Sequence, residues 1–249
     1  MQTSIFRLIV ILFISELELE LYHKKMNKRI LRVVRLGRIE YDEAFLIQKR
    51  TEQAIIDGKE VDTLFLLEHP HTYTVGRRSN QNGILATPEI LQSIGAKVFE
   101  TDRGGKITYH GIGQIVGYPV INLTTFKQDV HHYVRSLEEV LIKMLSDYEI
   151  EAFRIEGLTG VHTNDGKIAA IGVHIKRWVT THGFALNVNT DLSYFNWIIA
   201  CEGEPVTSME KILGREIDLS EVEDKIIRKF TAVFKFEDVI EVDKKEIIG

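Results

Sequence analysis

Four glycines fall within ten residues of the stretch Arg103-Gly104-Gly105-Lys106-Ile107-Thr108-Tyr109-His110-Gly111-Ile112-Gly113-Gln114. Glycine loses more backbone entropy on folding than any other residue, so such density is costly unless the backbone shape itself is needed. An adjacent pair lets the chain turn sharply and lets a ligand or another strand approach the main chain closely. Arg103 adds a fixed fork of donors, Thr108 a hydroxyl and His110 a titratable ring. Two readings stand at this level. One is a hairpin with a glycine bulge and a surface histidine; the other is a loop shaped to hold a ligand.

The chain around this stretch suits one globular domain, at most with a small appendage, since it has 249 residues of which 44% are apolar and 27% charged. A net charge of −5 without a large basic block argues against a nucleic-acid partner. The single cysteine, Cys201, excludes an internal disulfide framework and leaves a buried small hydrophobe or a reactive thiol.

Residues 1–25 differ in composition from the rest. Ile5 to Ile14 is nearly all apolar, and Glu16, Glu18 and Glu20 then alternate with leucines. Ten apolar residues are too few to span a bilayer, and no small-residue cleavage site follows. Met26-Asn27-Lys28 reads as an ordinary protein start. The expectation is an extension over 1–25 and a catalytic domain over 26–249, with a weak membrane- or partner-binding segment as the alternative for the extension.

Periodicity supplies the elements. Arg29 to Leu36, Thr63 to Leu67, Thr72 to Val75 and Ala96 to Glu100 read as strands. Ile115 to Leu123 reads as a further strand that closes a hairpin around the glycine-rich loop. Lys167 to Ile175 pairs with Val179 to Val188. Apolar residues recur at helical spacing from Tyr41 to Ile56, and again from Asp129 to Asp147. Thr87-Pro88-Glu89 opens a short helix that Gly95 stops. Ser220-Glu221-Val222-Glu223 reads as a capping box before the last helix. Strands and helices mix without a strict βαβ rhythm, so the expected class is α+β, a mixed β-sheet flanked by helices.

The full string R-G-G-x-x-T-Y-H-x-x-G-Q-x-x-x-Y-P, as it stands from Arg103 to Pro119, resembles the signature of the lipoyl(octanoyl) transferase family. Its shorter R-x-x-G-G core is shared with lipoate-protein ligases and, more distantly, biotin-protein ligases. The resemblance covers about residues 30–213 and implies the fold of the biotin/lipoate-protein ligases in a single catalytic domain. It also implies a catalytic pair. Gly166-Lys167-Ile168-Ala169-Ala170-Ile171-Gly172 is similar to that family's lysine-bearing strand, and Cys201 follows at the separation the family implies for its acyl-accepting cysteine.

The residue types suit that chemistry. Cys201 sits among Ala200, Glu202, Gly203, Glu204 and Pro205, a loop composition rather than a core one. Glu202 and Glu204 disfavour a thiolate by like-charge repulsion, so a cation must offset them, and Lys167 is the candidate. A lysine at a strand start otherwise simply snorkels to water. Thiolate attack on an acyl thioester would store the acyl group, and the ε-amine of an acceptor lysine would then take it. Thioester to amide is downhill, so no ATP and no other cofactor is expected. Three segments are expected to line the substrate site: Arg103 to His110 (Arg103, Gly104, Gly105, Lys106, Ile107, Thr108, Tyr109, His110), Ala170-Ile171-Gly172 and Gly183-Phe184-Ala185. Small residues beside a phenylalanine suit a tunnel for a medium-length chain. His131-His132 and the pair His69 and His71 lack the further ligands a metal site needs, so none is expected.

The resemblance thus implies a cytoplasmic octanoyltransferase, without stable membrane association. The implied donor is octanoyl-acyl carrier protein. The implied acceptors are the lipoyl domains of 2-oxoacid dehydrogenase complexes and the glycine cleavage carrier protein. The chain departs from the family pattern around Cys201, where Ala200 replaces the usual proline and Val206-Thr207-Ser208 follows early. Two rival readings are an ATP-dependent lipoate-protein ligase, which needs no cysteine, and a non-catalytic acyl-binding module with an incidental thiol.

Overall fold

The computed structural model describes residues 28–79, 81–199 and 205–248. The expected extension at 1–25 and the expected nucleophile, Cys201, lie outside the described residues. In chain order the elements are β1 (Ile30–Arg38), α1 (Tyr41–Ile56), β2 (Thr63–Glu68), β3 (Thr72–Val75), α2 (Pro88–Ser93), β4 (Lys97–Glu100), β5 (Ile107–His110) and β6 (Gln114–Val120). They continue with α3 (Val130–Ser146), β7 (Val161–Thr163), β8 (Gly166–Lys176), β9 (Val179–Asn187), α4 (Met209–Leu213), α5 (Leu219–Phe234), β10 (Asp238–Val242) and α6 (Lys245–Ile248).

Seven strands form a mixed sheet in the order β10-β1-β2-β6-β9-β8-β7, parallel at β10-β1-β2 and antiparallel from there on. A second sheet of three strands has the order β4-β3-β5. The continuous apolar run of β2 follows from its burial on both faces. Leu64 and Leu66 join the core under α3 and α5, together with Leu137, Leu141, Ile226 and Phe230. Phe65 and Leu67 point the other way and pack with Ala44, Ile47 and Ile55 of α1. The expected mixed sheet flanked by helices is the architecture found. Among the described residues no helix is long and apolar enough to cross a membrane.

Local chemistry sets the helix starts. Asp129 caps α3 by accepting from His132 N at 3.0 Å, and Thr87 caps α2 by accepting from Ile90 N at 3.4 Å. The helix expected last, α5, begins earlier than the Ser220 capping box predicts, and α6 follows it. Asp218 is the N-cap, its carboxylate accepting from Ser220 N at 2.8 Å, so Ser220 lies inside the first turn.

The hairpin expected around the glycine-rich loop does not form. β5 pairs with β3 in the small sheet, whereas β6 pairs with β2 and β9 in the large one. Gly111 to Gly113 therefore carries the chain from one sheet to the other. Gly113 has φ +80°, and a Cβ there would run into the Asn189 carbonyl. Its N–H donates to Glu68 Oε2 at 2.7 Å, and its carbonyl accepts from Asn189 N at 2.9 Å. The turn is fastened on both sides, which is why the glycine is needed there.

Leu141 is fully buried where α3 meets the sheet and α5. Leu141→Ala should cost about 2–5 kcal/mol of stability, read as a lower urea midpoint with an unchanged slope. A loss below about 1 kcal/mol would contradict the packing described.

Candidate active site

Arg103 precedes the paired glycines, and its side chain turns back into the small sheet. Its guanidinium donates to the Thr74 carbonyl at 2.7 Å, to Thr74 Oγ1 at 2.8 Å and to the Gly104 carbonyl at 3.0 Å. One planar fork thus ties the loop to β3. The backbone of Gly76 to Arg78 completes the tie: Gly76 N donates to Lys106 O, Arg77 N to Arg103 O and Arg78 N to Gly105 O, each at 3.1 Å. Gly76 is required by this approach, because a Cβ would meet Gly105 O at 2.5 Å and the Arg103 guanidinium at 2.8 Å.

The loop also reaches the large sheet. Gly104 N donates to Val173 O on β8 at 2.9 Å. Opposite it, a Cβ on Gly172 would meet Gly104 O at 2.8 Å. The two glycine-bearing motifs are therefore in direct main-chain contact, and a cavity of about 180 Å³ opens between them.

Lys167 lies in the wall of that cavity near the start of β8. Its Nζ donates to the Thr159 carbonyl at 2.8 Å. Its main chain is fastened to the segment that follows Cys201: Lys167 N donates to Pro205 O at 2.8 Å, and Thr207 N donates to Lys167 O at 3.0 Å. Phe195 and Val206, which flank Cys201 in sequence, line the same cavity.

A polar relay joins the glycine-rich stretch to this segment. His110 Nδ1 donates to Gln114 Oε1 at 2.9 Å, and Gln114 Nε2 donates to Asn187 Oδ1 at 2.9 Å. Asn187 Nδ2 then donates to the Thr207 carbonyl at 3.0 Å. All three side chains are buried. The Gln114 signal was present in the motif string. Asn187 carries only the signal of a polar residue ending an otherwise buried strand.

Part of the cavity's lining is made of rings. Tyr41, His110, Tyr118 and His182 line it, and His69 is bonded to this group: its Nδ1 donates to the Ile39 carbonyl at 2.8 Å, and its Nε2 accepts from Tyr118 OH at 2.9 Å. Burial holds His110 well below the usual histidine range, with His69 and the Arg103 charge acting in the same direction. Burial likewise lowers His69 to about 4. His182 is lowered by burial although its Nε2 stands 2.6 Å from Asp102, whose carboxyl that hydrogen bond holds down at about 2. His182 also has φ +57°, a conformation that costs energy for a side-chain-bearing residue and that sequence reading did not flag.

Of the residues expected to bind substrate, Arg103, Gly105, Lys106, Ile107, Thr108, His110, Ala170, Ile171, Gly172, Gly183, Phe184 and Ala185 line this one cavity, with Lys167. Gly104 and Tyr109 do not. Gly104 spends its main chain on β8. Tyr109 alternates to the opposite face of β5, where it stacks on Tyr194 at 5.1 Å and holds His71 Nδ1 at 2.7 Å. Among the described residues no group of three or more His, Cys, Asp or Glu could hold a metal ion.

This fold recurs in solved structures. A putative lipoate protein ligase from T. acidophilum with bound lipoic acid superposes with a TM-score of 0.69 at 15% identity, covering 87% of this chain and 92% of that one. Lipoate-protein ligase A bound with ATP gives 0.70 at 15% identity, covering 89% and 92%. A biotin protein ligase from Aquifex aeolicus in complex with biotin and ATP gives 0.51 at 13% identity, covering 82% and 70%. The family model of the lipoyl protein ligase A/B catalytic domain matches residues 40–231. The chain belongs to that family, and within it to the octanoyltransferases, so it is an acyltransferase. The curated octanoyltransferase of Solibacter usitatus (strain Ellin6076) is 51% identical over 203 residues, covering 81% of this chain and 92% of the relative. That of Caldicellulosiruptor saccharolyticus is 46% identical over 224 residues, covering 88% and 95%.

Two outcomes follow from the geometry. Arg103→Lys keeps the charge but loses the fork that grips Thr74 and Gly104 together, so turnover should fall about tenfold or more; unchanged kinetics would make Arg103 an ordinary structural cation. The second concerns acid. His69 takes up its proton near pH 4 in the folded state and near 6.5 when unfolded, so between those values the unfolded chain binds more protons. Stability should therefore drop as pH falls from about 6.5 to about 4. His69→Gln should make urea midpoints less dependent on pH across that window, and an unaltered dependence would refute the assignment.

Proposed function

We propose that the protein transfers an octanoyl group from octanoyl-acyl carrier protein to a specific lysine of lipoyl domains through a thioester on Cys201. The observation that carries this reading is the position of Lys167. It stands in the wall of an apolar-lined cavity, its main chain hydrogen-bonded to Pro205 and Thr207, directly beyond Cys201 in sequence. The acceptors are the lipoyl domains of 2-oxoacid dehydrogenase complexes and the glycine cleavage carrier protein. Residues 26–249 act as the catalytic unit, and the setting is the cytoplasm.

The Cys201 thiolate attacks the acyl carbonyl of the donor. A carbon–sulfur bond to the enzyme forms, the bond to the carrier's sulfur breaks, and that sulfur leaves as a thiol with a proton from the Lys167 ammonium, which becomes the free amine. Lys167 supports the thiolate by charge, against Glu202 and Glu204. The acceptor amine then attacks the enzyme thioester. The nitrogen–carbon bond forms, the bond to Cys201 breaks, and Lys167 relays the nitrogen's proton to the leaving sulfur. The acyl chain lies between the glycine-rich loop and β8 and β9, with Gly172 and Gly183 lining its course. Uncharged rings in the lining suit a hydrocarbon better than a charged group would.

Three measurements test this. Intact mass after mixing with octanoyl carrier protein should show one octanoyl adduct, absent in Cys201→Ser. No adduct in the parent, together with lipoate-dependent release of pyrophosphate from ATP, would establish a ligase instead. Lys167→Ala should slow both acyl steps by about 10²–10⁴-fold and move iodoacetamide alkylation of Cys201 to higher pH. Coincident alkylation curves would remove Lys167 from the pair, even with Cys201 intact.

A further inference from the structure

The contact that holds Lys167 has a second half. Its Nζ donates to the carbonyl of Thr159 at 2.8 Å, and the N–H of the same peptide group, that of Gly160, donates to Glu138 Oε1 at 3.1 Å. One amide thus stands between a carboxylate and the lysine ammonium. Glu138 is fully buried on α3. Its other oxygen accepts from Arg135 at 2.8 Å and from Arg154 Nε at 3.1 Å. Arg154 also reaches Glu139 Oε2 at 2.6 Å and the Arg135 carbonyl at 3.0 Å, so the loop that carries the peptide is tied to α3.

The peptide is shaped around the lysine. Gly160 has φ +127°, which side-chain-bearing residues rarely adopt. A Cβ there would meet Lys167 Cε at 2.7 Å and Ala169 O at 2.6 Å. Glycine therefore leaves the slot that the lysine stem fills. The neighbouring Gly157, Leu158 and Thr159 line the same cavity as Lys167. Hydrogen bonds in series polarise one another, so a carboxylate on the N–H makes the carbonyl beyond it a better acceptor. Bonds to charged groups are also the stronger ones, and this amide makes one at each end. A buried charge at Glu138 is costly without partners, and it spends one oxygen on this peptide.

We infer that Glu138 is a positioning residue for acyl transfer, acting through the Thr159–Gly160 peptide to fix the Lys167 ammonium at the cavity wall. The inference rests on the reading that Lys167 takes part in the transfer. It gives Gly160 a steric role in the same device, and it makes the 151–160 loop a support for the lysine rather than a bare connection.

The test is a double-mutant cycle on the full chain, with octanoyl carrier protein as donor and a lipoyl domain as acceptor. Glu138→Gln keeps the shape and an oxygen toward Gly160 but removes the charge. kcat should fall about tenfold or more, because a hydrogen bond to a charged group is weakened, while KM for the donor stays within about twofold. In Lys167→Ala the same substitution should leave the residual rate unchanged within about twofold. Equal losses in both backgrounds would mean that Glu138 only stabilises the fold, and would overturn the inference. An unchanged kcat for Glu138→Gln beside a crippled Lys167→Ala would overturn it as well. Parental turnover in Lys167→Ala would instead sink the underlying reading of Lys167. Should Glu138→Gln not fold, Glu138→Asp takes its place in the cycle, where a loss that persists without the Lys167 side chain is the overturning result.

Discussion

The cavity depends on the Arg103 guanidinium being buried against β3 while the backbone of the next residue, Gly104, bonds to β8. The guanidinium donors reach the Thr74 carbonyl and hydroxyl and the Gly104 carbonyl, all neutral oxygens. The loop beyond it then has one conformation, and that conformation presents Gly104 N to Val173 O. Two sheets that share no strand are joined at this point. The charge has a second effect at a distance. It acts with burial to keep His110 neutral, so the ring lining the cavity wall carries no charge to repel an apolar chain. A cation placed for structure thereby sets the polarity of the site beside it.

The pairing of two glycine-bearing motifs far apart in sequence has the same origin. Gly172 faces Gly104 O and the Arg103 side chain, and a methyl group at Gly172 would meet those atoms at 2.8 and 3.1 Å. Neither motif could make this approach without the other. Main-chain contact of this kind leaves room at the interface for a ligand, because no side chains fill it. The cavity is thus a product of what the glycines omit as much as of what the flanking residues supply.

Much of this was legible in the sequence. The helical stripe from Val130 to Ser146 and the paired strands β8 and β9 follow from periodicity. Lys167 and three sequence-distant segments were expected at one site and do line one cavity. Strand pairing was not legible: β5 and β6 are consecutive with a short turn, the usual hairpin signature, yet they enter different sheets. What separates them is the fastening of Gly113 by Glu68 and Asn189, two residues whose nearness depends on tertiary structure. Alternation along β5 separates Tyr109 from Thr108 and His110, although Ile107, on the same face as Tyr109, still reaches the cavity. Glu138 could not have been found, since a glutamate on an amphipathic helix looks like any other until its buried face is known. Asp218 and Ser220 are both good caps two residues apart, and only the path of the entering chain chooses between them.

The segment that carries the proposed nucleophile departs in sequence from the pattern the resemblance implies, and the described residues on either side of it are held by hydrogen bonds. Before it, Ile199 N donates to Gly83 O at 2.7 Å, and Ile198 bridges to Ile84. After it, Pro205 O and Thr207 N are both bonded to Lys167, and the Thr207 carbonyl is held by Asn187. Nearly all of these anchors are main-chain groups, indifferent to the side chains they carry. In sequence, Ala200 and the run from Glu202 to Glu204 fall between Ile199, bonded to Gly83, and Pro205, bonded to β8. Substitution between these residues alters the local charge around the thiol more readily than it alters where the segment begins and ends. The electrostatic balance between Lys167 and the two glutamates is therefore the property through which loop sequence would act on reactivity.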